Sequence, residues 1–253
     1  MPPDAPAPKL GILAGGGDLP AQVIEACEKS GRPFHVVAIE SQADHPAIQR
    51  VPHTFVRLGE ARRAQKVDHA EGVEEIVFAG WVRRPSLRAI RPDGRALKFL
   101  LKAGFRALGD DSLLSAIVKE VEGSGFRVVG VHEVVEDLLA PEGQYGKVAP
   151  DEQAWLDIRR GIDVVLGLGR LDVGQAVAVQ QGIVLAVEAI EGTDAMIRRT
   201  GPLQRAGPKG VLVKIPKPGQ ERRVDMPTIG VKTVEEVAAT GLRGIAVEAG
   251  GAL

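Results

Sequence analysis

The stretch KLGILAGGGDLPAQVIEACEKSGRPFHVVAIE, residues 9–40, constrains the fold more than any other part of this chain. It opens with an apolar run ending in glycines. A segment with Val23, Ile24 and Cys27 at helical spacing follows, and a second apolar run dense in β-branched residues closes it. Strand, helix and strand in that order require a right-handed crossover and parallel pairing. Further strands are expected at His53–Leu58, Glu75–Ala79 and Arg127–Val131, with helices around Ala61–Ala70, Leu97–Leu108 and Ser112–Glu122. This alternation predicts a doubly wound, Rossmann-like α/β domain.

The segment PEGQYGKVAP has two prolines and two glycines in ten residues and reads as a connection. Domains are therefore expected at 1–139 and 151–253, joined by a linker over 140–150. In the second, a helix is expected near Glu152–Gly161, followed by helix and strand segments punctuated by glycine. GTDAMIRR reads as a loop leading into a helix, VLVKIPK as a strand and GIAVEAG as a closing strand. Thr233 and Glu236 in TVEEVAATGL have the spacing of a capping box. With no internal repeat, the second half is expected to be a distinct α/β domain.

Composition narrows the function. The 253 residues are 44% hydrophobic and 26% charged, the profile of a soluble globular chain, and the formal net charge of −1 gives no global field for nucleic acid. Anion binding must come from a local cluster. The single cysteine, Cys27, excludes an internal disulfide and a cysteine-rich zinc site and fits a reducing cytosolic compartment. His35, His45, His53, His69 and His132 show no metal-ligand spacing. The N-terminal MPPDAPAPK lacks the features of a signal peptide, and no run of about 18 apolar residues occurs. A cytoplasmic protein is expected.

Three places carry candidate chemistry. Gly15, Gly16 and Gly17 stand between the first strand and helix, where backbone N–H groups and the helix dipole suit a phosphate. Glu40 could serve as the ribose-binding acid of a dinucleotide fold, but Pro20 occupies the third glycine's place and Asp18 sets a negative charge in the first turn. The alternative is a tight turn only. Asp110 and Asp111 precede an apolar helix and serve as N-caps or as ligands in a cleft, while RALKFLLKAGFRALG before them is a basic amphipathic helix suited to an anionic membrane or to covering a sheet. Trp81, Arg83 and Arg84 sit at a strand end, where they grip a substrate or form a solvated turn.

The third place is KIPKPGQERRVDMPTIG, residues 214–230. Pro216, Pro218 and Gly219 stiffen the backbone, so that Lys214, Lys217, Gln220 and Arg223 project from a fixed frame as an anion clamp. Asp225 among these cations is expected to stay ionised, and one aspartate with phosphate oxygens and waters is a typical Mg²⁺ arrangement. The cluster points to phosphoester binding and leaves binding and hydrolysis undivided.

The set AGGGDLP at 14–20, FAGWVRRP at 78–85, GDDSLL at 109–114, EGTDAMIRR at 191–199 and KPGQERRVDMPTIG at 217–230 resembles the LpxI-type UDP-2,3-diacylglucosamine pyrophosphatases of Gram-negative lipid A synthesis. The resemblance spans nearly the whole chain. It implies a Mg²⁺-dependent hydrolase that releases UMP and 2,3-diacylglucosamine 1-phosphate, lipid X, by directing water at the phosphorus on the sugar side. It also implies a ligand cleft between two domains, with an essential acid at Asp225. Glu221 departs from the family's usual aspartate. On this reading Asp225 anchors Mg²⁺, and Lys214, Lys217 and Arg223 neutralise phosphoryl charge. Gly15–Gly17 meet the nucleotide half, and Thr193 and Asp194 either contact phosphate or metal or cap a helix. Whether Asp225 or a metal-bound water supplies the base stays open. The acyl chains imply work at the inner-membrane surface without a span; homo-oligomerisation is an open possibility. The competing expectations are an NAD-dependent oxidoreductase built on Gly15–Gly17 and a non-catalytic nucleotide-sugar sensor.

Overall fold

The computed structural model describes residues 7–83, 93–94 and 110–253. The chain forms two compact units, Met1–Leu138 and Leu139–Leu253. The expected helix over 97–108, with Lys98 and Lys102, and Arg84 lie outside the described residues.

In the first unit the strands are β1 (Leu10–Ala14), β2 (Phe34–Ile39), β3 (His53–Val56), β4 (Glu75–Ala79) and β5 (Arg127–Val129). All pair in parallel in the order β3-β2-β1-β4-β5. Helices α1 (Leu19–Ser30), α2 (Ala61–Ala70) and α3 (Asp110–Glu122) alternate with them. This is the Rossmann-like alternation read from the sequence. Central strand β1 is buried on both faces, hence its unbroken apolar run. Leu10, Ile12 and Ala14 pack with Val36, Ala38, Val77 and the α1 residues Val23, Ile24 and Cys27.

On the other face Gly11 leaves room for α2 to bring in Asp68. A Cβ on Gly11 would lie 2.9 Å from Val73 Cγ1 and 3.1 Å from Asp68 Oδ1. Asp68 is buried and its Oδ1 has no hydrogen-bond partner. Burial alone pushes the carboxyl up from 3.8 to about 7.

The second unit is a four-stranded mixed sheet, β6 (Ala176–Gln180), β7 (Ile183–Val187), β8 (Val211–Lys214) and β9 (Gly244–Val247), ordered β7-β6-β8-β9. Only β8 and β9 are parallel. Helix α4 (Glu152–Arg170) covers Val177, Val179, Val211 and Val213. Helices α5 (Thr193–Thr200) and α6 (Val231–Ala239) cover Ala176, Ala178 and Leu212 with Met196, Ile197 and Val237. The β6–β7 turn is held from α4, where buried Asp157 accepts Gln181 N–H (3.0 Å) and Gly182 N–H (2.7 Å).

Three local expectations change. Helix α4 runs past Gly161 to Arg170, because that glycine is a contact point rather than a stop; a Cβ there would meet Val213 Cγ2 at 2.5 Å. The capping box at Thr233 is not formed, since α6 starts at Val231 after Gly230, which leaves Thr233 buried one turn in and Glu236 paired with Arg198 (2.8 Å). The stretch 140–150, read as a linker, belongs to the second unit. Ala140 N–H donates to Ala252 O (2.9 Å) and Ala140 O accepts Gly250 N–H (2.8 Å), which ties it to the C-terminus.

Asp68 gives the first unit a pH signature. Below about pH 4 the group is protonated whether the chain is folded or not. Between that pH and about 7 the unfolded chain releases the proton while the folded one keeps it, so stability falls as pH rises, by a total on the order of 4 kcal/mol. Urea titrations from pH 4.5 to 7.5 are expected to show this decline in the parent and its loss in Asp68→Asn. His35, which burial holds below its ordinary 6.5, slopes the opposite way in both proteins and cancels in the comparison. Parallel profiles would contradict the assignment.

Candidate active site

The site residues of the second unit are organised around one cross-strand row. Ala176 pairs with Lys214 across β6–β8, and the β6–β7 register, with Glu188 N–H donating to Ala176 O (2.9 Å), sets Glu188 on its other side. Paired residues share a face, so Lys214 and Glu188 flank a small Ala176 on the face that α5 and α6 cover. Both are buried, at 7% and 8% exposure.

Lys214 Nζ donates to Thr228 O (3.0 Å), its one hydrogen bond among the described residues. Burial pulls its pKa below the ordinary 10.5; the carboxylates of Glu188, Asp194 and Asp225, in that order, act against the fall. Those three acids come from the end of β7, the first turn of α5 and the loop before α6. Glu188 is itself fixed: Oε1 accepts the Thr193 hydroxyl (2.6 Å) and Oε2 accepts Gln175 N–H (3.2 Å). Asp194 accepts Lys232 Nζ (2.6 Å).

Asp225 is held by Gln220, whose Nε2 donates to Asp225 Oδ2 (2.6 Å) and to Gln175 Oε1 (3.2 Å), while Gln220 Oε1 accepts Lys217 N–H (2.9 Å). Gln220 therefore positions the acid, a role different from the direct ligand contact expected of it. Asp225 Oδ1 takes no hydrogen bond from the described residues. Lys217 Nζ is buried against Asp172 Oδ1 (2.7 Å), and the Arg223 fork is gripped by Glu221 through Nε (2.9 Å) and Nη2 (2.8 Å). Glu221 thus engages the arginine expected to meet phosphate. Thr193 spends its hydroxyl on Glu188 rather than on a ligand.

Sequence reasoning missed Glu188, Asp172 and Gln175. Glu188 alone left a signal, an acid closing the apolar run IVLAV just before GTD. No group of three or more His, Cys, Asp or Glu able to hold a metal exists among the described residues. Glu188, Asp194 and Asp225 all act electrostatically on the Lys214 ammonium, however, and a Mg²⁺ site needs only one or two carboxylates with phosphate oxygens and water. Asp225, with one carboxylate oxygen taken by Gln220, is the acid that could hold a divalent cation arriving with a diphosphate.

In the first unit the glycine loop departs from expectation. Gly15 N–H donates to Ala79 O (2.8 Å), Gly16 N–H to Trp81 O (2.9 Å) and Gly17 N–H to Asp44 Oδ1 (3.3 Å). The amides expected to face a phosphate are spent on protein acceptors. The glycines are needed for this close stitching: a Cβ on Gly15 would stand 2.4 Å from Trp81 O and one on Gly16 2.5 Å from Trp81 Cζ2. Asp18 is exposed at the start of α1 and makes no cap, and Glu40 is exposed. The dinucleotide reading loses its cradle. Asp110 and Asp111 begin α3, and their side chains lie outside the described residues.

Residues 9–138 match the family model described as LpxI N-terminal domain, and residues 141–253 match that of the LpxI C-terminal domain. The chain belongs to the LpxI family. It is similar to a Caulobacter vibrioides protein named UDP-2,3-diacylglucosamine pyrophosphatase LpxI, 46% identical over 249 residues that cover 96% of this chain and 89% of the relative. In this LpxI chain the GTD and KPGQERRVDMPTIG motifs thus meet around Lys214 through β-sheet register and the Gln220 bridge.

The buried ammonium has its own readout. Heteronuclear NMR of labelled lysine side chains is expected to show Lys214 titrating below 10.5 and, in Glu188→Gln, lower still, because the largest opposing negative charge is gone. A Lys214 that titrates at or above 10.5 would contradict the geometry.

Proposed function

We propose that this chain hydrolyses the pyrophosphate bond of UDP-2,3-diacylglucosamine to UMP and 2,3-diacylglucosamine 1-phosphate, in lipid A synthesis. The observation that carries the reading is the buried Lys214 ammonium among Glu188, Asp194 and Asp225, in a chain of the LpxI family whose relative is named for that activity. A diphosphate needs a cation fixed before the reaction, in a place where water does not weaken it. Lys214 is such a cation: its charge is maintained by neighbouring acids, and one hydrogen bond of three possible is used within the described residues.

In the proposed reaction, water attacks the phosphorus on the sugar side and the anhydride oxygen leaves with UMP. Lys214 donates to a phosphoryl oxygen and neutralises charge that builds there. Gln220 orients the Asp225 carboxylate by holding Oδ2, which leaves Oδ1 for the reacting groups or the cation. Asp225, together with the diphosphate oxygens, would hold Mg²⁺, which would supply Lewis-acid charge neutralisation when bound. Lys217 and Arg223, each engaged by an acid of its own, stiffen the loop that carries Asp225. The oxidoreductase reading leaves this arrangement without a task, and a sensor would bind a UDP-sugar here without releasing UMP.

No helix among the described residues is long and apolar enough to cross a membrane. A two-chain lipid substrate sits in the bilayer, and we place the protein in the cytoplasm, at the inner-membrane surface, during turnover.

Asp225→Asn is expected to lower UMP release by roughly 100-fold or more and Lys214→Met by a similar factor, both with near-parent thermal unfolding. Chelation should stop turnover and Mg²⁺ restore it. Hydrolysis in H₂¹⁸O should place the label in the lipid phosphate; label in UMP would overturn the assigned point of attack. An Asp225→Asn protein with parent turnover would remove the mechanism.

A further inference from the structure

The spent glycine amides raise the question of what, if anything, the first unit presents at that end of its sheet. The strand order β3-β2-β1-β4-β5 reverses between β1 and β4, and ligands of doubly wound sheets bind beyond the carboxyl ends of the strands at such a switch point. Here the loops that follow β1 and β4 are stitched by Gly16 N–H to Trp81 O and Trp81 N–H to Gly16 O (3.1 Å). The stitching sets the Trp81 indole on Gly16 and Gly17, with Cζ2 2.5 Å from where a Gly16 Cβ would stand and Nε1 3.1 Å from a Gly17 Cβ. Trp81 nonetheless stays 46% exposed.

Arg83 completes the arrangement. Its backbone N–H is fixed to Gln42 Oε1 (3.1 Å) and its guanidinium lies over the Trp81 ring, 4.9 Å from the centroid. The guanidinium makes no hydrogen bond or ion pair within the described residues. An exposed indole held flat by backbone, with a cation resting on it, is a π-surface that a nucleobase can take over, because stacking is available to any planar ring. Asp44, bound to the same loop through Gly17 N–H, offers its second carboxylate oxygen to a ribose hydroxyl. Exposed Asp18 and Asp44 also oppose a bare inorganic anion, so the surface favours a nucleotide over free phosphate.

We propose that Trp81 and Arg83 form the nucleotide subsite of the first unit, in which the base stacks on the indole face that Arg83 covers and the released guanidinium pairs with the phosphate. The proposal rests on the reading that the substrate is a uridine nucleotide. It moves nucleotide recognition from glycine amides to two side chains of the β4 loop.

The two tryptophans of the chain make this measurable. With Trp155→Phe in the full-length protein, Trp81 is the remaining emitter, and UMP is expected to quench it saturably while inorganic phosphate does not; uridine should quench with weaker affinity. By calorimetry, Trp81→Ala and Arg83→Ala should each weaken UMP binding by about tenfold or more. Trp81→Phe, which keeps a ring, should recover most of the loss and guards against a folding defect in the alanine variant. In turnover, KM is expected to rise in Arg83→Ala with kcat nearly kept. Parent affinity for UMP in both alanine variants, or equal quenching by phosphate and UMP, would overturn the subsite. Parent-like hydrolysis with unchanged KM in those variants would overturn it and leave the hydrolase reading intact, whereas UMP binding as described without UMP release from the lipid substrate would support the subsite and sink the hydrolase reading.

Discussion

The arrangement of the second unit depends on one constraint, the need to keep an ammonium charged while it is nearly out of water. Desolvation of Lys214 works against its charge, and carboxylates from three different elements offset it. Each must be brought close by local means. The β6–β7 hairpin sets Glu188 beside Ala176, the α5 first turn supplies Asp194, and Gln220 ties Asp225 to Gln175 at the root of β6. Small residues make the approach feasible. Ala176 leaves the row open between the two long side chains, and a Cβ on Gly174 would stand 2.2 Å from Glu188 O. Three acids thus act on the one ammonium of Lys214.

The first unit follows a different logic. Its glycine loop is rigid because its hydrogen bonds are internal, and what it offers outward are side chains standing on it. Backbone stitched in this way cannot rotate its amides toward a ligand without breaking the Gly16–Trp81 pair. Recognition at this end therefore falls to groups with spare valence, an exposed indole and an unpaired guanidinium among the described residues. At the opposite face of the same sheet, Asp68 costs stability at neutral pH and marks a place where packing around Gly11 prevails over polar satisfaction.

How much of this the sequence disclosed differs from residue to residue. Periodicity located β1, β2 and α1 because each has one strong pattern and a flanking glycine or proline. Lys214 was legible as a cation at the end of an apolar strand, and Asp225 as an acid in a stiff, basic loop. Glu188 was not, since its role arises from cross-strand register, which links residues 26 apart in the chain through Ala176. The glycines were legible as sites without tolerance for a side chain; what approaches them is set by Trp81, 65 residues on. The Thr233–Glu236 spacing misled because Gly230, not Thr233, ends the preceding loop, and Gly161 read as a stop although it marks where helix and sheet touch. Local chemistry was readable, and partners supplied by tertiary pairing were not.

The central claim is that the Lys214 ammonium and the Asp225 carboxylate act on one diphosphate. A crystal structure of the Asp225→Asn protein with intact UDP-2,3-diacylglucosamine tests it most directly. Lys214 Nζ is expected within hydrogen-bonding distance of a diphosphate oxygen, with residue 225 still held by Gln220. A diphosphate seated away from Lys214, with that amine bonded to Thr228 O alone, would contradict it.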